Sequence, residues 1–336
     1  MATKCGQQSI MLTNPVRILS CAAVAGKKEA QGPLKHCFDI LSEDSYFGQP
    51  SWEKAETEML QRCMKRCLEK APSKSPNPEL IAGGDLLNQC ISSAFAAKDS
   101  ALPYLGLYGA CSTMAEALTI AALLIDGGAY NAALAMTGSH FCSAERQYRF
   151  PMEYGGQRTP SAQWTVTGAG AALLSSVGGP RISCLTPGCI VDTGLCDAGN
   201  MGAAMAPAAY DTITKHFADT GRDFDYYDAV FTGDLGALGH DILQDLLQKD
   251  GLNPGLKYMD CGVLIYDLRT QDVHSGGSGC GCGASVLCGH IIPAMQRGVW
   301  KKVLFAATGA LMSPLSCQQG CSIPGICHAV ALEMEG

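Results

Sequence analysis

Charge is scarce in this sequence, and the charge that is present is not basic. Charged residues make up 16% of the 336 positions, against about 25% in typical globular proteins. The 31 Asp and Glu residues outnumber the 24 Lys and Arg residues, which gives a formal net charge of −7. Because binding to nucleic acid requires a basic face, we expect no nucleic-acid partner.

The sequence also lacks a long apolar run. The longest, Ala115–Ile125, includes Glu116 and is far shorter than the roughly 20 residues that cross a bilayer. The first residues, Met1–Cys5, have neither the apolar core nor the cleavage site of a signal peptide. Neither a membrane span nor secretion is therefore expected, and the sequence predicts a protein of a cytoplasm-like compartment.

Cys-X-X-Cys motifs are missing as well, although the chain has 18 cysteines. A disulfide framework is typical of short secreted chains, and a structural zinc site needs two matched cysteine pairs. Neither pattern is present, so we predict no metal site and expect most cysteines to act as small buried hydrophobic residues. Only Cys111 lies in a context that suggests chemistry. The closest pairs are Cys63 with Cys67, Cys280 with Cys282, and Cys317 with Cys321.

Glycine and short apolar segments are abundant: the chain has 39 Gly and is 47% hydrophobic. Ser51 precedes a helical stripe of apolar residues and predicts a capped helix. Short apolar segments alternate with such helices, which favours an α/β fold with a mainly parallel sheet. The predicted strands are Glu79–Ala82, Leu105–Ala110, Ala132–Thr137 and Cys261–Tyr266, and a further helix is predicted over Ser112–Ile125.

The chain also contains a weak internal repeat. With an offset of 171 positions, Cys111 falls on Cys282, and the Thr-Gly pair after one apolar strand falls on a second such pair. In addition, Gly84-Asp85-Leu86 resembles Gly233-Asp234-Leu235, and each follows an apolar run. We therefore predict two related α/β halves, residues 1–180 and 181–336, joined at Gly178–Pro180.

A strand, the turn Gly109-Ala110-Cys111-Ser112-Thr113 and a long apolar helix, set in a duplicated α/β chain, resemble the thiolase and β-ketoacyl synthase superfamily. The resemblance implies two pseudo-duplicated αβαβα halves and a homodimer. It also implies that Cys111 occupies the nucleophile position at the start of a buried helix. A helix N-terminus carries partial positive charge, which stabilises a thiolate.

Longer blocks resemble one branch of that superfamily, the stage V sporulation protein AD family. The resemblance implies a part in moving dipicolinic acid into the developing spore. It further implies binding of dipicolinate itself, association with membrane proteins of the same uptake system, and a peripheral position on the cytoplasmic side of the forespore inner membrane. The blocks are Ala25–Glu29, Gly83–Gln89, Leu107–Thr113, Ala144–Arg149, Asn200–Pro207, Thr232–Gly236 and Thr308–Pro314.

Two polar residues of the synthase mechanism are replaced in this sequence. Synthases use a His and an Asn on two loops of the C-terminal half, and the alignment puts Gly233 and Cys280 at those positions. Neither glycine nor a neutral thiol supplies the missing base or strong donor. The resemblance therefore implies a binding protein on an enzyme fold and no catalytic residue, with Cys111 as a relic of the nucleophile.

The former catalytic pocket is the expected dipicolinate site. Cys111 would form its floor, and three loops would border it. Asp85 and Asp234 repel a free dianion, so they contribute only if calcium accompanies the ligand; otherwise each caps a helix. No other cofactor is expected. The predicted ligand-binding residues are Asp85, Gln89, Cys111, Thr232, Gly233, Asp234, Ser278 and Cys280.

Three further residues have two interpretations each. Arg146 and Arg149 could clamp carboxylates or form structural or interfacial ion pairs, and Trp164 could stack on the ligand ring or belong to the core. The run Met201–Pro207 is interpreted as a lid or a close-packed turn.

Three functions stay open at this point: dipicolinate binding, acyl transfer through Cys111 with an unrecognised base, and a scaffold whose pocket is vestigial. Acyl transfer requires a reactive, low-pKa Cys111, whereas a scaffold binds no ligand.

Overall fold

The computed structural model describes residues 2–149 and 155–335. The strands are β1 (Thr3–Cys5), β2 (Ser9–Met11), β3 (Arg17–Ala25), β4 (Ile40–Leu41), β5 (Ile81–Gly84), β6 (Tyr104–Gly106), β7 (Ala132–Ser139), β8 (Trp164–Thr165), β9 (Gly168–Ser175), β10 (Arg181–Thr186), β11 (Ala229–Thr232), β12 (Tyr258–Asp260), β13 (Gly277–Ser278), β14 (Lys302–Ala310) and β15 (Gly325–Glu333). The α-helices are α1 (Trp52–Lys70), α2 (Ile91–Ala97), α3 (Thr113–Asp126), α4 (Phe141–Tyr148), α5 (Met201–Thr220), α6 (Gly236–Lys249), α7 (Cys261–Leu264), α8 (Cys280–Val286), α9 (Ile292–Gln296) and α10 (Pro314–Gln318).

The strand order is the same in the two parts of the sheet. It runs β6-β5-β7-β9-β3 in the N-terminal part and β12-β11-β14-β15-β10 in the C-terminal part. In each part only the fourth strand, β9 or β15, runs opposite to the other four. The two parts meet at the single pair Arg17 and Arg181. This repeat of order and direction confirms a mainly parallel α/β fold built twice.

The helices form three layers around these strands. Helix α1 begins where Ser51 accepts a hydrogen bond from the Lys54 amide, and its apolar stripe packs on the outer face of the N-terminal strands. Helix α5 covers the C-terminal strands in the same way. The helices α3, α8 and α9 share one core with strands of both parts. The N-terminus of α3, which carries Cys111, is therefore held between the two halves.

Two segments differ in type from the prediction, and the strand predicted over Leu105–Ala110 ends already at Gly106. Cys261–Tyr266 is not a strand, because Asp260 accepts a hydrogen bond from the Val263 amide and starts the short helix α7. The run Met201–Pro207 is neither a lid nor a turn, because Asn200 caps it as the start of α5. In both cases a polar residue outside the apolar run determines where a helix begins.

The cysteines are all free thiols, and most are buried. Their burial confirms the prediction that the cysteines serve mainly as small core residues. No helix in the described part of the chain is long and apolar enough to span a membrane. The buried cysteines are Cys21, Cys63, Cys67, Cys90, Cys184, Cys261, Cys280, Cys282, Cys288 and Cys327.

Candidate functional site: the Cys111 pocket

A tight turn presents Cys111 at the start of α3. Ala110 takes the left-handed conformation with φ 52°, which is unusual for a residue with a Cβ. The Ser112 hydroxyl donates to the Gly109 carbonyl at 2.7 Å, and the Thr113 hydroxyl donates to the Ala110 carbonyl at 2.6 Å. Cys111 itself is partly exposed. The turn therefore places Cys111 where it lines a pocket.

The end of strand β14 supports this turn from the other half. A Cβ at Gly309 would lie 2.8 Å from the Gly109 carbonyl oxygen and 3.1 Å from the Ser112 amide nitrogen. Real Cβ atoms are rarely found so close to backbone. Only glycine allows this approach, so Gly309 is one reason that the two halves meet at Cys111.

The side chains of Cys111 and Asp234 lie close enough for each to shift the pKa of the other. Asp234 also accepts from the Gly279 amide at 2.9 Å and from the Thr308 hydroxyl at 2.7 Å. Burial raises the pKa of Asp234 to about 7 despite these donors. Burial, with the nearby Asp234 carboxylate, raises the pKa of the Cys111 thiol well above its usual range. The site therefore holds a protonated thiol, in contrast to the thiolate that a helix N-terminus alone favours.

A pocket of about 110 Å³ opens above Cys111. Two hydroxyls enter it side by side, because Thr165 of β8 and Ser278 of β13 are paired in register. Neither hydroxyl has a hydrogen-bond partner among the described residues. The remaining wall is mainly apolar and comprises Leu86, Ala110, Ala144, Ala162, Ala198, Met201, Ala310 and Met312.

Among the described residues, charged side chains line the pocket at one place only. Arg149 and Glu145 both line it and form an ion pair at 3.5 Å. Gln163 donates to the carbonyls of Asp234 and Gly277 at 2.6 and 2.8 Å, and its own buried carbonyl oxygen has no partner. The pocket thus combines one Arg–Glu ion pair and two hydroxyls with a mainly apolar wall.

The structure brings together only part of the predicted set. Cys111, Ser278 and Arg149 line the pocket. Asp234 lies near Cys111 but does not line the pocket. Cys280 packs in the same apolar cluster as Cys111, and its thiol donates to the Gly138 carbonyl at 3.0 Å.

The other loop residues point elsewhere. Asp85 accepts from the Leu87 and Ser93 amides, Gln89 is exposed, and Thr232 donates to Asp260 at 2.7 Å. At Gly233 a Cβ would lie 3.0 Å from the Thr308 amide nitrogen, so this position faces strand β14. The residue of this loop that reaches Cys111 is Asp234, one position further on.

Arg146 and Trp164 are not in the pocket wall, which corrects their proposed contact with the ligand. Arg146 pairs with Glu53 at 3.2 Å and covers the Trp52 ring. Trp164 stacks on Phe141 with ring centroids 3.6 Å apart. Both therefore fit the structural interpretation.

Sequence reasoning missed most of the pocket wall. Tyr148 and Met312 lie within the family-like blocks Ala144–Arg149 and Thr308–Pro314, but the blocks do not show which side chains face the cavity. Gln163 and Thr165 had no signal beyond their place before the glycine-rich strand β9. None of the seven histidines in the chain is among the described residues that line the pocket.

Within the described residues, no group of three or more His, Cys, Asp or Glu side chains is placed to hold a metal ion. Asp85 and Asp234 each have their oxygens bonded to protein donors. A calcium ion accompanying the ligand would therefore find no ready group of carboxylates here.

The fold defines a class: this is a thiolase-fold protein. A crystal structure of an OleA variant from Xanthomonas campestris superposes with a TM-score of 0.61 at 14% identity, over 96% of this chain and 99% of that one. A cerulenin-bound OleA crystal structure has a TM-score of 0.60 at 13% identity, over 96% and 98% of the two chains. At such identities the likeness shows the fold alone.

Sequence comparison gives the particular family. The model of the family described as stage V sporulation protein AD matches residues 6–333. Stage V sporulation protein AD of Bacillus subtilis (strain 168) is 42% identical over 332 residues, which are 98% of this chain and 98% of that protein. The chain therefore belongs to the stage V sporulation protein AD family, a family of sporulation proteins, and the resemblance of its motifs is confirmed.

Proposed function

We propose that this protein is a non-catalytic member of the thiolase fold that binds dipicolinate, alone or as its calcium complex, in the Cys111 pocket for uptake into the developing spore. The observation that carries the proposal is the buried Asp234 carboxyl, which Gly279 and Thr308 hold near Cys111. The nucleophile position is kept, but it is paired with an acidic group that keeps the thiol protonated.

The chemistry of this pair opposes acyl transfer. A nucleophilic cysteine needs a base that removes its proton or a positive neighbour that lowers its pKa. The neighbouring Asp234 carboxyl raises the pKa of the Cys111 thiol and so disfavours the thiolate, and no imidazole from the described chain lines the pocket. Losing one donor of an oxyanion site lowers a rate by about 10²–10³, and both residues of the synthase pattern are replaced by Gly233 and Cys280.

The pocket suits the proposed ligand for three reasons. Its apolar wall complements the flat pyridine ring. Arg149 supplies a fork of donors that matches a carboxylate, and its partner Glu145 can be displaced as a second carboxylate arrives. The hydroxyls of Thr165 and Ser278 have no competing partner among the residues that the structure describes and can donate to the ligand.

Assembly and location form part of the proposal. Strand β6 is the last strand of the N-terminal part, and unpaired edges favour pairing with another chain. Leu105 on this edge is 41% exposed, and Phe95 beside it on α2 is 48% exposed. We propose a homodimer through this edge, docked on the cytoplasmic side of the forespore inner membrane by membrane proteins of the uptake system.

Calorimetric titration with dipicolinate, with and without calcium, tests the binding proposal, with benzoate as the control ligand. Saturable binding that is lost in Cys111→Trp and kept in Cys189→Trp, a matched change at an exposed thiol, is the expected result. No heat up to millimolar dipicolinate, with circular dichroism showing a folded protein, would overturn it. Acylation of Cys111 by an acyl-thioester would favour an acyltransferase, and absence of both activities would favour a scaffold.

A further inference from the structure

The Cys111 pocket has a second recess beside it, which we call the vestibule. It is lined by Tyr108, Ala110, Tyr148, Leu311, Met312, Ser313 and Ser316 and has a volume of about 290 Å³. Three residues, Ala110, Tyr148 and Met312, line both spaces. Of these three, only Tyr148 has a ring and a side-chain hydroxyl. Its side chain is therefore the main partition between the pocket and the vestibule.

The hydroxyl of Tyr148 has an unusual partner. It donates to the Leu86 carbonyl oxygen at 2.9 Å, and the same oxygen also accepts from the Tyr108 hydroxyl at 3.1 Å and the Gln147 amide at 2.9 Å. A carbonyl oxygen has two lone pairs. Three donors therefore share the Leu86 carbonyl oxygen, although two would satisfy it. The Tyr148 hydroxyl can move away while the other two donors still satisfy this oxygen.

The surroundings keep Tyr148 available as a donor. Its ring packs against Leu86, Ala144 and Cys280. Burial and the adjacent Tyr108 raise the pKa of its phenol, so the hydroxyl keeps its proton. The next residue, Arg149, lines the Cys111 pocket, so its guanidinium is placed to hold a carboxylate in that pocket.

We propose that Tyr148 is the specificity-determining residue of the pocket for an aromatic dicarboxylate: its hydroxyl leaves the Leu86 carbonyl and donates to the ligand carboxylate that extends into the vestibule. The ring and the other carboxylate occupy the Cys111 pocket. This inference rests on the proposed function. It adds that the ligand spans both recesses, and that Tyr148 distinguishes a dicarboxylate from a monocarboxylate.

The test compares dipicolinate with picolinate, which has the same ring and one carboxylate, in the wild type and in Tyr148→Phe. Loss of one hydrogen bond to a charged group weakens binding by about tenfold. We therefore expect Tyr148→Phe to bind dipicolinate about tenfold more weakly, to bind picolinate almost unchanged, and to lose most of the discrimination between the two ligands.

Tyr210→Phe is the matched control, because its hydroxyl bonds to Asp250 on a distant surface. It should leave both affinities unchanged. A role of Tyr148 in stability alone would lower the thermal midpoint and weaken both ligands equally, which would overturn the inference. Unchanged discrimination in Tyr148→Phe overturns it too, while leaving the proposed function standing. A wild type that binds no dipicolinate overturns both.

Discussion

The two aspartates that follow matching strands in the two halves have different partners. Asp85, after β5, accepts from the Leu87 amide at 2.8 Å and from the Ser93 amide and hydroxyl, both at 2.7 Å. All these donors lie within eight residues of it in the chain. Asp234, after β11, accepts instead from the Gly279 amide and the Thr308 hydroxyl, which belong to two distant segments. It also lies near Cys111, which belongs to a third segment.

The comparison shows how a duplicated element can acquire a new role. In the N-terminal half the aspartate stabilises its own turn. In the C-terminal half the same residue type connects the helices and strands that surround the pocket. Burial raises the pKa of both carboxyls, and the Asp234 carboxyl in turn raises the pKa of the Cys111 thiol. Equal substitutions in the two halves should therefore have unequal effects on the site.

The largest effect should come from removing each carboxylate. Asp234→Ala strands the Gly279 amide and the Thr308 hydroxyl in a buried place, and each stranded donor costs about 1–3 kcal/mol. Asp85→Ala strands a similar number of donors, so urea unfolding should show similar losses for both. Dipicolinate affinity should fall at least tenfold for Asp234→Ala alone, because only this change alters the immediate surroundings of Cys111. Equal losses of dipicolinate affinity in the two variants would contradict the different roles assigned to Asp85 and Asp234.

The second prediction concerns pH. Asp234 has a folded pKa of about 7, raised from 3.8, so the folded state holds a proton that the unfolded chain releases. Its contribution to stability is full below pH 3.8 and is lost as pH rises through about 7. The slope for one such proton is at most about 1.4 kcal/mol per pH unit.

Unfolding free energies measured between pH 4 and 8 check this prediction. The wild type should lose stability as pH rises across this range, and Asp234→Asn should show a flatter slope. Asp260 and Glu56 are also buried with raised pKa values, so part of the slope should persist. An identical slope in the wild type and Asp234→Asn would show that this carboxyl is ionised across the whole range.

Sequence patterns predicted the fold well and the site only in part. The strand-helix alternation and the weak repeat predicted an α/β fold built twice, because period and apolar content are local properties. The repeated Gly-Asp-Leu motif identified Asp85 and Asp234 but not their hydrogen-bond partners. Those of Asp234 lie 45 and 74 residues away, and no spacing rule connects them. The mistaken strand at Cys261–Tyr266 has a local cause, since the capping by Asp260 outweighed the apolar run.

The third prediction compares Gly309 with Gly138, the glycine at the matching position of the N-terminal half. A Cβ at Gly309 meets the backbone oxygen of Gly109 at 2.8 Å, whereas a Cβ at Gly138 first meets the end of the Leu60 side chain at 2.9 Å and meets backbone, the Gly168 oxygen, only at 3.1 Å. A side-chain tip can rotate away and backbone cannot. Gly309→Ala should therefore cost about 2–3 kcal/mol and Gly138→Ala about 1 kcal/mol, within the range for overpacking.

Urea unfolding of the two glycine variants measures this difference, and dipicolinate titration adds a second readout. Gly309→Ala should also weaken binding, because it displaces the Cys111 turn. Should Gly138→Ala prove the more damaging of the two, strand β14 does not hold the turn in place as the contact distances indicate.

The smallest expected effect is on the reactivity of Cys111. The Asp234 carboxylate raises the pKa of this thiol, so replacing it with a neutral amide should increase the thiolate fraction. Alkylation of Cys111 by iodoacetamide, followed by mass spectrometry of the Cys111 peptide, should be about three to ten times faster in Asp234→Asn than in the wild type at pH 8. Asp85→Asn should leave the rate unchanged.

The pH dependence of that rate separates charge from access. Below pH 6 the Asp234 carboxyl is mostly protonated, since its pKa is about 7, so the variant and the wild type should react at similar rates. The exposed thiol of Cys189 gives the reference rate for each sample. A faster reaction of Asp234→Asn that persists unchanged at pH 5.5 would mean that the substitution opens the pocket, and the inhibition of Cys111 would then be steric and not electrostatic.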